Sequence, residues 1–198
     1  VSTAGPLLLP DPLWDSLDAF KKSDGGFGQG WPTPSYKRFW SPDDDVHGAL
    51  VALVGGATKT IDCAMYGWDD DDLDGLFRAA WENQKIAVRL CLDRSQAGGV
   101  HEKALLAKWN ETGKGNPPFV IGTSRLHAIS HLKLLVVDGL YTVEGSTNWS
   151  ASGESKQNNE CSIHRDFAVA QDAVWKIALT HTEMAWQASQ AGAGTATT

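Results

Sequence analysis

Between residues 41 and 92 the apolar spacing alternates between two periods, and that alternation restricts the chain to a layered helix-on-sheet architecture. Val46, Ala49, Leu50, Leu53 and Val54 fall at i, i+3, i+4, i+7 and i+8, the stripe of an amphipathic helix. Ser41 as N-cap and Pro42 at the first helical position would open it, and Gly55-Gly56 would close it. The stretch from Lys59 to Tyr66 then reads as a strand, and the acidic cluster Asp69 to Asp72 starts a second helix with Leu73, Leu76, Phe77, Ala80 and Trp81 at helical spacing. Lys85 to Leu92 is a second strand. Helix, strand, helix, strand predicts an α/β sandwich, a mixed central sheet flanked by helices with right-handed crossovers.

Downstream, Val100 to Trp109 reads as a third helix, and the Thr-Gly-Lys-Gly-Asn-Pro-Pro segment as a loop into a strand at Phe119-Val-Ile. Cys161 to Ile163 and Phe167 to Ala170 are further strand candidates, and Asp172 to Gln187 a C-terminal helix. At 198 residues and 42% hydrophobic, one core is the default. Three segments are expected: an irregular N-terminal arm over 1–38, a domain over 39–187, and a flexible tail over 188–198. The arm holds five of the eight prolines and the GGFGQG run, with a short helix expected at Pro12 to Lys21. Its Trp14, Phe20, Phe27 and Trp31 would be costly to leave in water, so it should cover a core edge or a partner surface.

The chemistry concentrates in HLKLLVVDGLYTVEGSTNWS. His131 and Lys133, two apart, would share one strand face while Leu132 and Leu134 turn to the other. Asp138-Gly139 is a favoured two-residue hairpin turn with positive φ, and the returning strand brings Ser146 and Asn148 back toward His131 and Lys133. A neutral imidazole can attack phosphorus, and a cation and an amide can hold the charge that grows on the non-bridging oxygens. In-line displacement also needs an acid on the opposite side to protonate the departing oxygen. One histidine cannot stand on both sides.

This stretch resembles the His-x-Lys-x4-Asp-x6-Gly-Ser-x-Asn signature of the phospholipase D superfamily, with every defining position filled by His131, Lys133, Asp138, Gly145, Ser146 and Asn148. The likeness extends from Phe39-Trp40-Ser41-Pro42 through Thr60 to Tyr66 and covers residues 39 to about 186. In length and motif count the chain is similar to the small bacterial nucleases and to the mitochondrial cardiolipin hydrolase or Zucchini-type proteins, which carry one motif per chain. The resemblance implies a phospholipase D-like sandwich, a metal-independent phosphodiesterase working through a phosphohistidine, and a homodimer with one site across its two-fold. It implies nucleic acid as substrate, with phospholipid as the alternative. It also implies that Glu160 orients a catalytic histidine, that Asp138 is a structural brace, and that no cofactor is needed.

Other candidates are weaker. His101-Glu102-Lys103 repeats His-x-Lys, but Lys108 stands where Asp is needed, so a surface position on a helix is expected. Arg125, Trp149 and Lys156 are candidate substrate contacts, and Trp81, Trp109 and Trp175 are expected to pack. His47, His127, His164 and His181 read as structural or surface histidines, with His127 placed on the His131 strand face if that strand is unbroken. Cys63 and Cys91 sit in apolar runs; with Cys161 they form no Cys-x2-Cys pair, so neither a disulfide framework nor a zinc site is expected, and no metal ligands are assigned. The formal charge of −7 opposes broad capture of nucleic acid, and no apolar run is long enough for a transmembrane segment. A chain that begins at Val1 leaves localisation open, including export after loss of a signal peptide.

Overall fold

A computed structural model describes residues 9–23, 31, 33–83, 85–111 and 115–193. The elements run α1 (Pro12–Ser16), β1 (Tyr36–Ser41), α2 (Val46–Gly55), β2 (Thr60–Met65), β3 (Trp68–Asp69), α3 (Asp71–Glu82), β4 (Ala87–Asp93), α4 (Arg94–Ala97) and α5 (Val100–Asn110). They continue β5 (Phe119–Gly122), β6 (Lys133–Val137), β7 (Tyr141–Gly145), β8 (Trp149–Ser150), α6 (Ala151–Ser155), β9 (Asn159–Arg165) and α7 (Phe167–Ala193). Seven strands form one mixed sheet in the order β1-β9-β7-β6-β2-β4-β5, and β3 pairs with β8 in a separate parallel ribbon. β2, β4 and β5 are parallel, as helical crossovers require, while β6, β7, β9 and β1 run antiparallel to their neighbours.

The pleat sorts side chains onto two covered faces. On one, Ile61, Cys63, Leu90, Leu135, Val143 and Ile163 meet Leu50 and Leu53 of α2 and Phe77 of α3 in the main core. On the other, Ala64, Cys91 and Val136 meet Ala170, Ala173, Ile177 and Met184 of α7. All three cysteines are free and buried. The starts of α2 and α3 are explained by their caps: Asp45 accepts from Gly48 N–H at 2.9 Å and Asp70 from Leu73 N–H at 2.7 Å.

Several expectations shift. Ser41 ends β1 rather than capping α2, because the acidic run after it offers a better cap four residues later in Asp45. Phe167 to Ala170 is helix rather than strand: Asp166 accepts from the amides of Ala168 and Val169 at 2.8 and 3.1 Å and starts α7 there. That helix runs on through 188–193, where a flexible tail was expected, and 194–198 lie outside the described residues. The boundary at residue 38 falls inside β1. The arm contributes α1 and a 3-10 turn at Leu17–Phe20; Trp14 and Leu17 are buried, and Trp31 packs tilted on Phe39 at 5.2 Å. Lys37 is buried with its ammonium over the Trp14 ring at 4.8 Å and paired with Asp18. GGFGQG, with Phe27, lies outside the described residues. Trp81 and Trp109 pack against each other, but Trp175 is 63% exposed on α7.

Candidate active site

The expected hairpin is present. β6 and β7 pair from Leu134↔Glu144 to Val137↔Tyr141, and Asp138 and Gly139 turn the chain at φ 55° and 64°. The Asp138 carboxylate accepts from the amides of Thr58, Lys59 and Thr60 and from the Thr58 hydroxyl, at 2.7–3.1 Å, which ties the turn to the start of β2. Burial would raise this carboxyl, but the Thr58 hydroxyl and the three amides together hold it below its ordinary value.

His131 stands just before β6, not within it. The chain there is held on both sides: Ser130 N–H donates to the buried Asp93 carboxylate at 2.6 Å, and Leu132 C=O accepts from Tyr66 N–H at 2.8 Å. The imidazole meets the Tyr66 ring edge-on at 4.5 Å, and Lys133 Nζ lies 4.8 Å over the same ring. Among the described residues no side-chain hydrogen bond engages the His131 ring nitrogens. Half-burial pushes the Lys133 ammonium below its usual value, and its only hydrogen bond among the described residues is a long one, 3.3 Å, to His131 C=O.

Gly67, next to Tyr66, places the amide. Its carbonyl accepts from Trp149 N–H at 3.0 Å, and a Cβ on it would lie 3.1 Å from Asn148 Cβ and Cγ. Asn148 Oδ1 is buried without a hydrogen-bond partner among the described residues. Tyr66-Gly67 thus touches His131 and Lys133 with one residue and Asn148 with the next. Gly145 adopts φ 151°, and a Cβ there would sit 2.2 Å from Glu160 C=O, so only glycine fits this approach of β7 to β9. Ser146 Oγ donates to Asn159 Oδ1 and accepts from Glu160 N–H, both at 3.0 Å.

Glu160 does not bond His131 within the protomer. Register places Leu134, Glu144, Ser162 and Arg38 on one sheet face, and Glu160, two residues from Ser162, shares it; Lys133 lies on the other. Its carboxylate accepts from the Ser162 hydroxyl and pairs with Arg38 Nε at 3.2 Å. Asn159 is the β9 residue on the Lys133 face.

An open groove of about 610 Å³ runs past His131, lined by Arg125, Leu126, Ile129, Lys176, Leu179 and Glu183 among others. Arg125, named as a substrate contact, lines this groove. Trp149 does not: it is 2% exposed and packs on Trp68 and Phe77 at 5.2 and 5.6 Å, a core position. Lys156 is exposed at the end of α6 and does not line the groove. His127 sits in a turn closed by Ser124 N–H to Ala128 C=O at 2.8 Å, at φ 59°, so the strand face proposed for it does not exist. His101 is exposed on α5 and pairs with Asp69 and Asp71 at 3.3 Å. Tyr66, Gly67, Asp93 and Lys176 were missed in the sequence. A tyrosine and glycine ending an otherwise apolar strand are the signal that could have found the first two.

No helix among the described residues is long and apolar enough to cross a membrane. No curated protein matches the chain significantly in sequence. In structure it is similar to Nuc, a phospholipase D family member from Salmonella typhimurium, with TM-score 0.67 and 18% identity over 76% of this chain and 96% of that one. NucT from Helicobacter pylori gives 0.61 and 15% over 75% and 96%. A phosphatidylserine synthase from Haemophilus influenzae gives 0.55 and 11% over 74% of this chain but only 38% of its own. The fold is thus the phospholipase D-like one, a mixed sheet between helices. A family model described as cardiolipin synthase, PLD-like domain, matches residues 50–176, and with that span holding the Lys133–Asn148 hairpin the chain belongs to the phospholipase D superfamily as a phosphodiesterase-type enzyme.

Proposed function

We propose that this chain cleaves nucleic acid without a metal in the reaction, through a covalent phosphohistidine at a site completed by a second copy of itself. The observation that carries this reading is His131: exposed at the rim of an open groove, its ring nitrogens unengaged among the described residues, beside a half-buried ammonium that shares the Tyr66 ring with it. His131 attacks phosphorus as the bond to the leaving oxygen breaks, and the second copy's equivalent imidazole gives that oxygen its proton. Water then attacks the phosphohistidine, losing its proton to the same imidazole, as the P–N bond breaks and its electron pair returns to the His131 ring. Lys133 and Asn148 bind the charged oxygens, and Ser146 shapes the turn that presents them. Arg125 and Lys176, both on the groove, supply cationic character to an otherwise acidic chain. Glu160 is held by Arg38 on the other sheet face. The likeness to Nuc and NucT over almost their whole length favours the small-nuclease reading.

A phospholipid substrate is the second reading. It is favoured by the apolar side chains along the same groove, where Leu126, Ile129 and Leu179 are exposed, and by the net charge. Wild type and His131→Ala would be incubated in parallel with single-stranded DNA, RNA and cardiolipin-containing liposomes. Oligonucleotide shortening that disappears in His131→Ala is the expected result. Release of phosphatidate or headgroup alone would select the lipid reading, and cleavage that survives His131→Ala would remove the nucleophile.

A further inference from the structure

Outside the groove, three elements converge on a second cluster. His47 of α2, Asp70 at the start of α3 and Glu154 of α6 each offer a ligand atom, and these atoms lie within 4.8 Å of one another. We propose that His47, Asp70 and Glu154 bind one divalent first-row cation, Zn²⁺ foremost, as a clamp that fixes α6 against α2 and α3.

The donors are arranged as such an ion requires. His47 Nδ1 faces Glu154 Oε2 at 2.7 Å and Asp70 Oδ2 at 3.0 Å, two carboxyl oxygens converging on one ring nitrogen. A single proton on Nδ1 can serve one of them well. His47 Nε2 meets Asp72 Oδ2 at 3.3 Å, and a proton held there leaves Nδ1 with its lone pair toward the carboxylates, the outer-carboxylate arrangement that orients a metal-bound imidazole. Asp70 spends Oδ1 on the Leu73 amide and keeps Oδ2 free of that duty. Glu154 is the decisive member: its side chain is wholly buried, and Oε1 has no hydrogen-bond partner among the described residues. A buried, half-satisfied carboxylate is costly unless something positive sits against it. Three carboxylates around one imidazole leave excess negative charge even when the ring is protonated, and a divalent ion removes most of it. The imidazole-to-carboxylate separations of 2.7 and 3.0 Å are compatible with metal–ligand bonds of about 2.0–2.2 Å, and an imidazole with two carboxylates suits zinc or manganese better than magnesium or calcium.

The clamp has a place in the molecule. Glu154 follows Asn148 by one short ribbon strand and one helical turn, and Asp70 follows Gly67 by the ribbon's other strand. An ion joining them fixes, from behind, the two segments that place the Asn148 amide, without touching the reacting phosphorus.

Full-length chain stripped with chelator would be titrated with ZnCl₂ by calorimetry and melted with and without it. One Zn²⁺ per chain is expected, with a rise in Tm of roughly 5–10 °C at a hundredfold excess over Kd. Binding should vanish in His47→Ala and Glu154→Gln and persist in His131→Ala. Asp70→Asn keeps the helix cap through its amide oxygen, so loss of binding in that folded variant decides the matter if His47→Ala fails to fold. No binding at 100 μM ZnCl₂, in the arm of about that concentration chosen to exceed usual structural-site affinities, would overturn the proposal. Binding that survives His47→Ala and is lost in His131→Ala would also overturn it, placing the ion on the other imidazole.

Discussion

At the scale of single residues, the site depends on close approach more than on hydrogen bonding. Gly67 carries no functional group, yet it joins Tyr66, which touches both His131 and Lys133, to Trp149, whose N–H its carbonyl accepts. In Gly67→Ala the new methyl would meet Asn148 Cβ and Cγ at 3.1 Å, tighter than ordinary contact, and the amide must move by a few tenths of an ångström. Misplacing a positioning group costs far more in rate than in stability, because the transition state is sensitive to geometry that the fold tolerates. We expect kcat to fall by roughly tenfold with KM and Tm close to wild type; an equal fall in Tm-corrected activity for Gly55→Ala, whose Cβ meets nothing closer than 3.9 Å, would show that the loss is not specific to this contact. Glu160 illustrates the opposite case. Its sequence distance from Asn148 suggested a partner for a histidine, but a strand alternates faces with every residue, and one position decides between Lys133's side and Arg38's. Spacing along a loop of uncertain length does not fix that parity.

Among the elements, two carboxylates act as pins between segments distant in sequence. Asp138 joins the β6–β7 turn to β2 through the Thr58, Lys59 and Thr60 donors. Asp138→Asn keeps the shape and tolerates the positive φ, but it turns an NH₂ toward amides that can only donate. A loss of about 1–2 kcal/mol in urea unfolding is expected, with m unchanged. Asp44 pins the arm to the corner after β1: Lys21 Nζ donates to it at 2.7 Å, and the amides of Lys22, Ser23 and Trp40 at 2.7–2.9 Å. Burial alone would raise this carboxyl, yet the Lys21 ammonium and those amides bring it down to about 2. The folded value lies below the unfolded one, so its contribution is fully present above pH 3.8 and is lost as pH falls toward 2. Urea midpoints measured from pH 6 to 2.5 should show a drop beginning near pH 4, and Asp44→Asn should remove about 2 kcal/mol of the difference. These pins were not legible in the sequence, where Asp43-Asp44-Asp45 is a run of three equivalent acids. The strands and helices were legible, since burial on one or two faces writes its period directly into β2, β4, α2 and α3. Their ends were less so: Ser41 and Asp45 are both good caps, and the pairing of Ser41 with Asn159 of β9 leaves the cap to Asp45.

For the whole molecule, the hairpin to which the proposal assigns the chemistry was readable because its turn, its alternation and its glycine are all local. A second copy that would complete the proposed site is not local. Each chain offers one His131 at a groove bordered by apolar side chains, with Trp175 and Trp186 also 63% and 60% exposed on α7. Its place in a helix gave Trp175 an expected packing role, and its exposure fits a surface that another molecule covers. A two-fold pairing of identical copies would place one imidazole on each side of a phosphate at no further cost in sequence. Such a shared centre has a numerical signature. If wild type and His131→Ala are mixed in equal amounts and allowed to exchange subunits, random pairing leaves roughly one quarter of the dimers with both imidazoles. Activity at constant total protein should therefore settle near a quarter of the all-wild-type value. Independent sites would leave roughly a half, because every intact chain would still turn over. A Lys133→Ala partner in place of His131→Ala separates the two histidine roles: if both ammonium groups bind the same phosphate the quarter persists, and if each serves only its own imidazole the mixed dimer retains part of its rate. Charge placed on the apolar border by Ile129→Glu should lower activity in proportion to the loss of dimer seen by sedimentation, with the isolated chain still folded. A fully active monomer would leave the proton for the leaving oxygen to come from within one chain, where His131 has no second imidazole beside it among the described residues.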